Sequence, residues 1–513
     1  MKNYCLLLFI LFALWSCTKE EPAPTPPNII FIMSDDHTSQ AWGIYGGPLE
    51  AYAKNNNIKR LASEGAQLNH VFCTNSICVP SRGSILTGQY SHVNGIYTLA
   101  DALDPDSNNI AKVLQKGGYQ TAIIGKWHLK KQPSGFDHFE VLPGQGRYHN
   151  PILKTKENWE EGKVYEGFSA DVITDLSLDW LESKTSEKPF FLMTHFKATH
   201  EPFDYPERFA ELYTNDSIPE PASLLDFSPQ TNGRSFIGQK LEILYNRWLR
   251  DMEKRKEGKG NYPGEVAGPE GLDSIQIRKI TYQKFVKDFM RSGAVIDDNI
   301  GRILDYLDAN DLADNTIVIY TADQGYFLGE HGFFDKRMIY EEAIQMPFVV
   351  RYPKEIEAGS KVNKMILNID FPALFADYAG LSKPEFVQGE SFRPILQGKV
   401  PDNWRKSMYY RYWLHREERP AHLGIRNERY KLAFFYGLPL NAVGAMPTAT
   451  APAWEFYDLE KDPDELRNAY HAPEYQTIIA EMKSELEKMR EELQDTDEQY
   501  PDMQELIAKH WNM

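Results

Sequence analysis

Four apolar runs constrain the fold of this chain more than any other feature. Residues 28–33 (NIIFIM), 121–124 (TAII), 190–196 (FFLMTHF) and 316–320 (TIVIY) are rich in β-branched and aromatic residues and lack the strict alternation of a half-exposed strand. A parallel sheet covered on both faces requires such near-continuous runs. Helical rhythms lie between them. Phe289, Ile296, Ile300, Ile303, Leu304 and Leu307 follow Phe285 with a 3.6-residue period, and Ile173, Leu176 and Trp180 do so over a shorter stretch. Strand alternating with helix makes the fold class α/β, with a large, mainly parallel sheet flanked by helices.

The residues that stop each run point to chemistry. The runs end at Ser34-Asp35-Asp36, Gly125-Lys126-Trp127-His128, Lys197-Ala198-Thr199-His200 and Thr321-Ala322-Asp323-Gln324. Open α/β sheets bind ligands beyond the carboxyl ends of their strands. One polar ending would mean little, since loop carboxylates are normally solvated. Four endings of metal-ligand or acid-base type predict a composite active site.

Charge limits the partners. Lys and Arg total 56 against 73 Asp and Glu, a net charge of −17, which repels nucleic acid and anionic lipid. No nucleic-acid partner is expected, and a polyanionic substrate needs a local basic pocket.

The chain divides into four expected parts. Lys2, an apolar run over 5–15 and Ser16-Cys17 read as a signal peptide, 1–16, too short to span a bilayer. Leu14-Trp15-Ser16-Cys17 resembles a bacterial lipobox, which implies a lipid on Cys17; a plain signal peptide is the alternative. Thr18-Lys19-Glu20-Glu21 resembles the export tag of surface lipoproteins, and the Pro-rich remainder of 17–27 reads as an extended tether. The location expected is outside the inner membrane, at the outer membrane or cell surface through a lipid anchor, otherwise in the periplasm. Residues 28–397 read as the catalytic domain. Within them, 203–275 looks like a Pro/Gly-rich insertion with one charged helix, suited to a surface lid or rim. Residues 398–513 read as an α+β subdomain: short strands in YYRYWLH, HLGIRNERYKLAFFYG and AWEFYDLE, with a turn at Asn427-Glu428, then a helix with Ile478, Ile479, Met482, Leu486, Met489 and Leu493 on one face. That stripe reads as core against the small sheet, with a partner-binding face as the alternative.

With Cys5 removed and Cys17 lipidated, Cys73 and Cys78 remain. A bridge between them is conceivable, but a buried free thiol fits Cys73 better. Cys78 stands in SICVPSRGSILTG, residues 76–88. Cys78-Val79-Pro80-Ser81-Arg82, four residues, then Thr87-Gly88 match the pattern CxPSRxxxxTG at every fixed position. In this the sequence resembles the formylglycine-dependent (type I) sulfatases of the alkaline phosphatase superfamily, and the resemblance runs from PNIIFIMSDD to YDLEKDPDE.

The resemblance implies an alkaline phosphatase-like fold and a sulfuric ester hydrolase. It implies that Cys78 is oxidised to Cα-formylglycine by a formylglycine-generating or anaerobic maturation enzyme, because a hydrated aldehyde offers a second hydroxyl to release sulfate. It implies one Ca²⁺ held by Asp35, Asp36, residue 78, Asp323 and Gln324. Many relatives carry Asn at the last position, and Gln324 adds a methylene. Arg82 and Lys126 would then stabilise the diol and sulfate, Lys336 would hold the sulfate and the leaving oxygen, His128 would be the base for sulfate release, and His200 would protonate the departing alcohol. The helix expected over 81–86 would aim its amides at the sulfate.

Substrate choice is expected at the rim. Arg147 and His149 in QGRYHN, and His415, His422 and Arg426 among the C-terminal aromatics, suit a sulfated glycan; the alternative for the aromatics is ordinary strand packing. Within the family, TNSICVPSRGSILTG, LPGQGRYHNP and DQGYFLGEHGFFDKRMIYEE look most like bacterial polysaccharide sulfatases, of the heparan glucosamine 6-O type or the algal glycan type. Two rivals are a formylglycine-dependent phosphonate or phosphate ester hydrolase and a catalytically silent glycan-binding lipoprotein.

Overall fold

The computed structural model describes residues 26–185, 187–225 and 240–512. The leader and nearly all of the tether lie outside the described residues.

The main sheet has eight strands: β1 (Asn28–Asp35), β2 (Ala66–Leu68), β3 (Gln120–Lys126), β4 (His138–Leu142), β5 (Phe190–Thr199), β6 (Thr316–Ala322), β7 (Phe348–Arg351) and β8 (Ser360–Val362), in the order β8-β2-β7-β6-β1-β5-β3-β4. Only β7 runs antiparallel to its neighbours, so the sheet is mixed and mainly parallel. The four apolar runs are the four adjacent central strands β6, β1, β5 and β3.

Both faces are covered, which explains the missing alternation. Ile29, Phe31 and Met33 of β1 face one core; Ile30 and Ile32 face another. The second core is closed by α2 (Ser169–Ser183) through Ile173 and by α4 (Ser274–Ala309) through Ile296, Ile300, Ile303 and Leu304. Each such side chain, fully buried, contributes about 1.5–3 kcal/mol. The first core takes in α1 (Cys78–Thr87) and continues without a break into the C-terminal sheet.

That second sheet is a four-stranded antiparallel meander of β9 (Ser407–Tyr412), β10 (His422–Asn427), β11 (Tyr430–Phe435) and β12 (Ala453–Asp458). Helix α5 (Gln476–Glu492) buries Ile479, Met482 and Leu486 in the same core, docked on the sheet instead of offered to a partner. A further helix, α6 (Pro501–His510), was not legible in the stripe pattern.

The insertion is better packed than a loose lid. Its helix α3 (Leu241–Arg255) buries Leu241, Leu244, Tyr245 and Trp248 against Phe285 and Phe289 of α4 and against Tyr326 and Phe334. Cys73 and Cys78 are both free and buried.

Candidate active site

The site forms where β1, β3, β5 and β6 end. The pairing of β1 with β5 shifts register between Met33 and Asp35, and Asp36 follows with φ of 67°, so consecutive carboxylates turn into the sheet edge. Gly125, just before Lys126, has φ of 106°, and a Cβ there would lie 2.0 Å from the His195 carbonyl oxygen. Only glycine lets β3 approach β5 this closely. Helix α1 starts at Cys78, three residues earlier than expected, with Pro80 in its first turn and Gly88 ending it at φ of 67°. All ten of its residues are buried.

Ligand atoms of Asp35, Asp36 and Asp323 all lie within 4.8 Å of one another, as do those of Asp35, Cys78 and His200. Cations interleave with these acids. Arg82 Nε donates to Asp323 Oδ2 at 2.9 Å and its Nη1 to the Lys126 carbonyl at 2.7 Å. Lys126 Nζ bonds Asp35 and Gln145, and Lys336 Nζ donates to Asp36 Oδ2 at 2.6 Å. The Gln324 amide donates to Asp36 Oδ1, with Cys78 Sγ at 4.0 Å, so the longer side chain still reaches the cluster.

Burial alone would raise the Asp35 carboxyl, but Lys126, His200, Arg82 and Lys336 hold it well below the usual range. Burial pushes Asp36 up to about 6 although Lys336 opposes it, and burial with the Asp35 charge pushes Asp323 up to about 7. Three carboxylates this close cannot all stay ionised without further positive charge. Among the described residues, Asp35 Oδ1 and Gln324 Oε1 are buried without a hydrogen-bond partner. Carboxylates with an unclaimed amide oxygen fit a hard, oxygen-liganded metal ion.

Two histidines flank the cluster. His128, at φ of 62°, is pushed down to about 2 by burial and then by Lys126, and its Nδ1 has no hydrogen-bond partner among the described residues. His200 Nδ1 is 2.8 Å from the Glu201 carbonyl, and its Nε2 is 3.7 Å from Asp36 Oδ2. Burial, aided by Lys126, Lys336 and Lys197, holds His200 well below its ordinary value against the pull of Asp35. The cluster opens into a cleft of about 580 Å³ lined by residues 145–149, Lys197, 200–202, Asp204 and 260–262.

The Sulfatase family model matches residues 27–381. The chain belongs to the sulfatase family. A second model, N-sulphoglucosamine sulphohydrolase C-terminal, matches residues 329–492 of this sulfatase. The N-acetylglucosamine-6-O-sulfatase of Bacteroides thetaiotaomicron is 37% identical over 542 aligned positions, covering 98% of this chain and 92% of that protein. The ulvan-active sulfatase of Formosa agariphila is 24% identical, covering 96% and 87%. A solved structure of a protein in complex with its substrate D-glucosamine-2-N,6-O-disulfate matches with a TM-score of 0.82 and 35% identity, over 93% of this chain and 99% of that one. The phosphonate monoester hydrolase of Agrobacterium radiobacter, at 18% identity and a TM-score of 0.68 over 91% and 96% of the two chains, shares the fold. The sulfatase is therefore a sulfuric ester hydrolase of alkaline phosphatase-like fold.

The structure of this sulfatase brings together Asp35, Asp36, Cys78, Arg82, Lys126, His128, His200, Asp323, Gln324 and Lys336, and puts Arg147 and His149 on the cleft wall. His149 Nε2 pairs with Asp204 at 3.0 Å.

Three expected sugar readers are corrected. His415 and His422 are fully buried and Arg426 is 5% exposed, and none lines the cleft. The His422 ring stacks on Phe435 at 4.6 Å between strands, His415 is bonded to Thr448 and Ala421, and Arg426 pairs with Glu341. Aromatic neighbours here mean strand packing, the alternative weighed for them.

Other cleft residues had no role assigned from the sequence. Lys197 is 3% exposed, sits 4.6 Å over the Tyr148 ring, and has no carboxylate at ion-pair distance among the described residues. Burial, then Lys126, brings it down to about 8. Its place at the end of β5 was the available signal. Tyr148 donates to the His200 carbonyl at 2.5 Å. Tyr262 comes from the insertion, where nothing in the sequence marked it.

Proposed function

We propose that this sulfatase removes the 6-O-sulfate of N-acetylglucosamine or N-sulfoglucosamine units in sulfated glycan fragments, using one Ca²⁺ and a formylglycine made from Cys78. The convergence of Lys126, Lys336, Arg82 and two histidines on buried Cys78 carries the reading. The choice of sugar is supported by the relative that shares 37% identity over nearly the whole chain.

Asp35, Asp36, Asp323 and Gln324 would hold the ion, which neutralises sulfate charge when bound. Formylglycine supplies two geminal hydroxyls, one to take the sulfuryl group and one to expel it. The residues of the chain do the rest. Lys126 and Lys336 are buried beside position 78, where positive charge acts more strongly on a developing anion than it would in bulk water. Arg82, tied to Asp323 and to the Lys126 carbonyl, fixes the geometry of both. His128, neutral and with a free ring nitrogen, can accept a proton during sulfate release. His200, donating from Nδ1 to the Glu201 carbonyl, presents Nε2 to the centre, where it can hand a proton to the departing alcohol once the substrate anion raises its affinity for one.

We also infer export and a lipid anchor at Cys17, from the leader and the Ser16-Cys17 junction. Fractionation and mass analysis of the mature N-terminus test this; a soluble protein with free Cys17 would overturn the anchor.

The deciding experiment measures sulfate release by protein whose formylglycine content is known by mass, with Cys78→Ala as blank. Substrates are 6-O-sulfated N-acetylglucosamine, D-glucosamine-2-N,6-O-disulfate and an algal sulfated oligosaccharide. Release from the first two supports the reading. Release from the algal substrate alone, or turnover of a phosphonate monoester alone, overturns it.

A further inference from the structure

The 203–275 insertion grips the residue beside His200. Arg247 Nη1, from α3, donates to both carboxylate oxygens of Glu201, at 2.9 and 2.8 Å. Tyr262 OH bonds the same carboxylate from the loop after α3. Both donors are themselves fixed. The Asp251 carboxylate accepts from the backbone amides of Asn261 and Tyr262 at 2.8 and 3.1 Å, tying the loop to α3. Lys284 of α4 donates to the Pro263 carbonyl at 2.6 Å and lies 4.8 Å over the Trp248 ring. Arg247 also lies 5.3 Å over Phe334, two residues before Lys336.

The other end of Glu201 matters to the chemistry. Its carbonyl is the partner of His200 Nδ1 at 2.8 Å, and this bond decides which ring nitrogen carries the proton and which faces Asp36.

We propose that Arg247 and Tyr262 are positioning residues for His200: through Glu201 they fix the tautomer and direction of that imidazole, so α3 and the loop after it form a wall of the active site. The proposal rests on the reading of His200 as the group that protonates the leaving alcohol. Fold stability is not what the clamp supplies. The Arg247 and Glu201 side chains are 32% and 23% exposed, so the pair is partly open to solvent, which weakens its contribution to stability.

The test is a double-mutant cycle on the matured enzyme, using whichever sulfate ester the wild type hydrolyses fastest, so failure of the glucosamine assignment leaves the clamp testable. Arg247→Met and Tyr262→Phe are expected to lower kcat about 10- to 100-fold, a part of the ~10²–10⁴-fold that a general acid supplies, with KM changed less than about threefold. In a His200→Ala background the same substitutions are expected to cost less than about twofold, since the group they position is gone. Arg247→Lys, which keeps a cation for Glu201, is expected to recover most of the rate. Melting temperatures report folding of each variant. Equal losses in the presence and absence of His200, or a loss seen only in KM, would overturn the proposal. A His200→Ala enzyme as fast as wild type would instead overturn the role of His200.

Discussion

The carboxyl edge of the main sheet and the interior of the C-terminal sheet hold the same kinds of residue, buried Arg, Lys and His among aromatics, yet they do different things. In the C-terminal region the charges answer each other. Arg411 pairs with Asp495 and Asp497, Arg426 with Glu341, and Lys431 with Glu341 and Glu465. At the sheet edge Gln324 Oε1 and His128 Nδ1 have no hydrogen-bond partner among the described residues, Asp35 Oδ1 has only Arg82 Nη2 at 3.6 Å, and Lys197 has no acid at ion-pair distance. A buried polar group left unpaired costs free energy. At the edge the loose atoms gather beside one nucleophile and an open cleft, as a ligand site does, whereas in the C-terminal interior Arg411 and Lys431 lie at ion-pair distance from acids and hold shape.

The largest expected difference is in activity. Cys78→Ala should lower kcat by at least about 10⁴-fold, as loss of a covalent nucleophile does, and shift the melting temperature by only a few degrees. Activity without such a loss would remove the distinction between the regions. Arg411→Leu should do the reverse: it removes the cation shared by Asp495 and Asp497, leaving them to Tyr409 and to Arg490, and costs about 3 kcal/mol in denaturant unfolding, while kcat of the folded fraction holds.

Adding Ca²⁺ to chelated protein should raise stability by about 2.7 kcal/mol at a hundredfold excess over Kd. The sign with pH follows from the raised carboxyls. In metal-free protein Asp323 and Asp36 take up protons as pH falls through about 7 and about 6, so protons compete with the ion. The Ca²⁺ increment should be greatest above pH 7 and shrink below it; thermal melts with and without Ca²⁺ across pH read this. An increment that grows on acidification would sink the carboxylate site.

Lys197, brought down to about 8, loses its charge as pH rises through that value. On an anionic substrate, kcat/KM should fall about tenfold between pH 8 and 9.5, and Lys197→Gln should flatten that limb. The smallest effect sharpens the correction at the rim: His422→Phe should leave KM within about twofold, while Arg147→Gln should raise it about threefold. The opposite order would return His422 to the sugar site.

What the sequence disclosed follows chain locality. The central strands, the residues that stop them and the Cys78 motif lie in short contiguous stretches, and their surroundings are dictated by sheet burial. The strands of the C-terminal sheet were legible too, but not which way His422 points, because both faces of β10 are covered. Glu201, Arg247 and Tyr262 are separated by 46 and 61 residues, and no local pattern marks a contact that tertiary packing alone creates. The early start of α1 was hidden for a different reason: Pro80 reads as a breaker unless the first turn is already known to hold it.

Cys78 is 1% exposed and begins a helix with no exposed residue. No second protein can grasp that side chain in the finished fold without unpacking the core around it. Any enzyme that oxidises Cys78 must therefore meet the polypeptide before the core closes around it. On the proposed formylglycine mechanism, conversion of Cys78 would then be a race between chemistry and collapse.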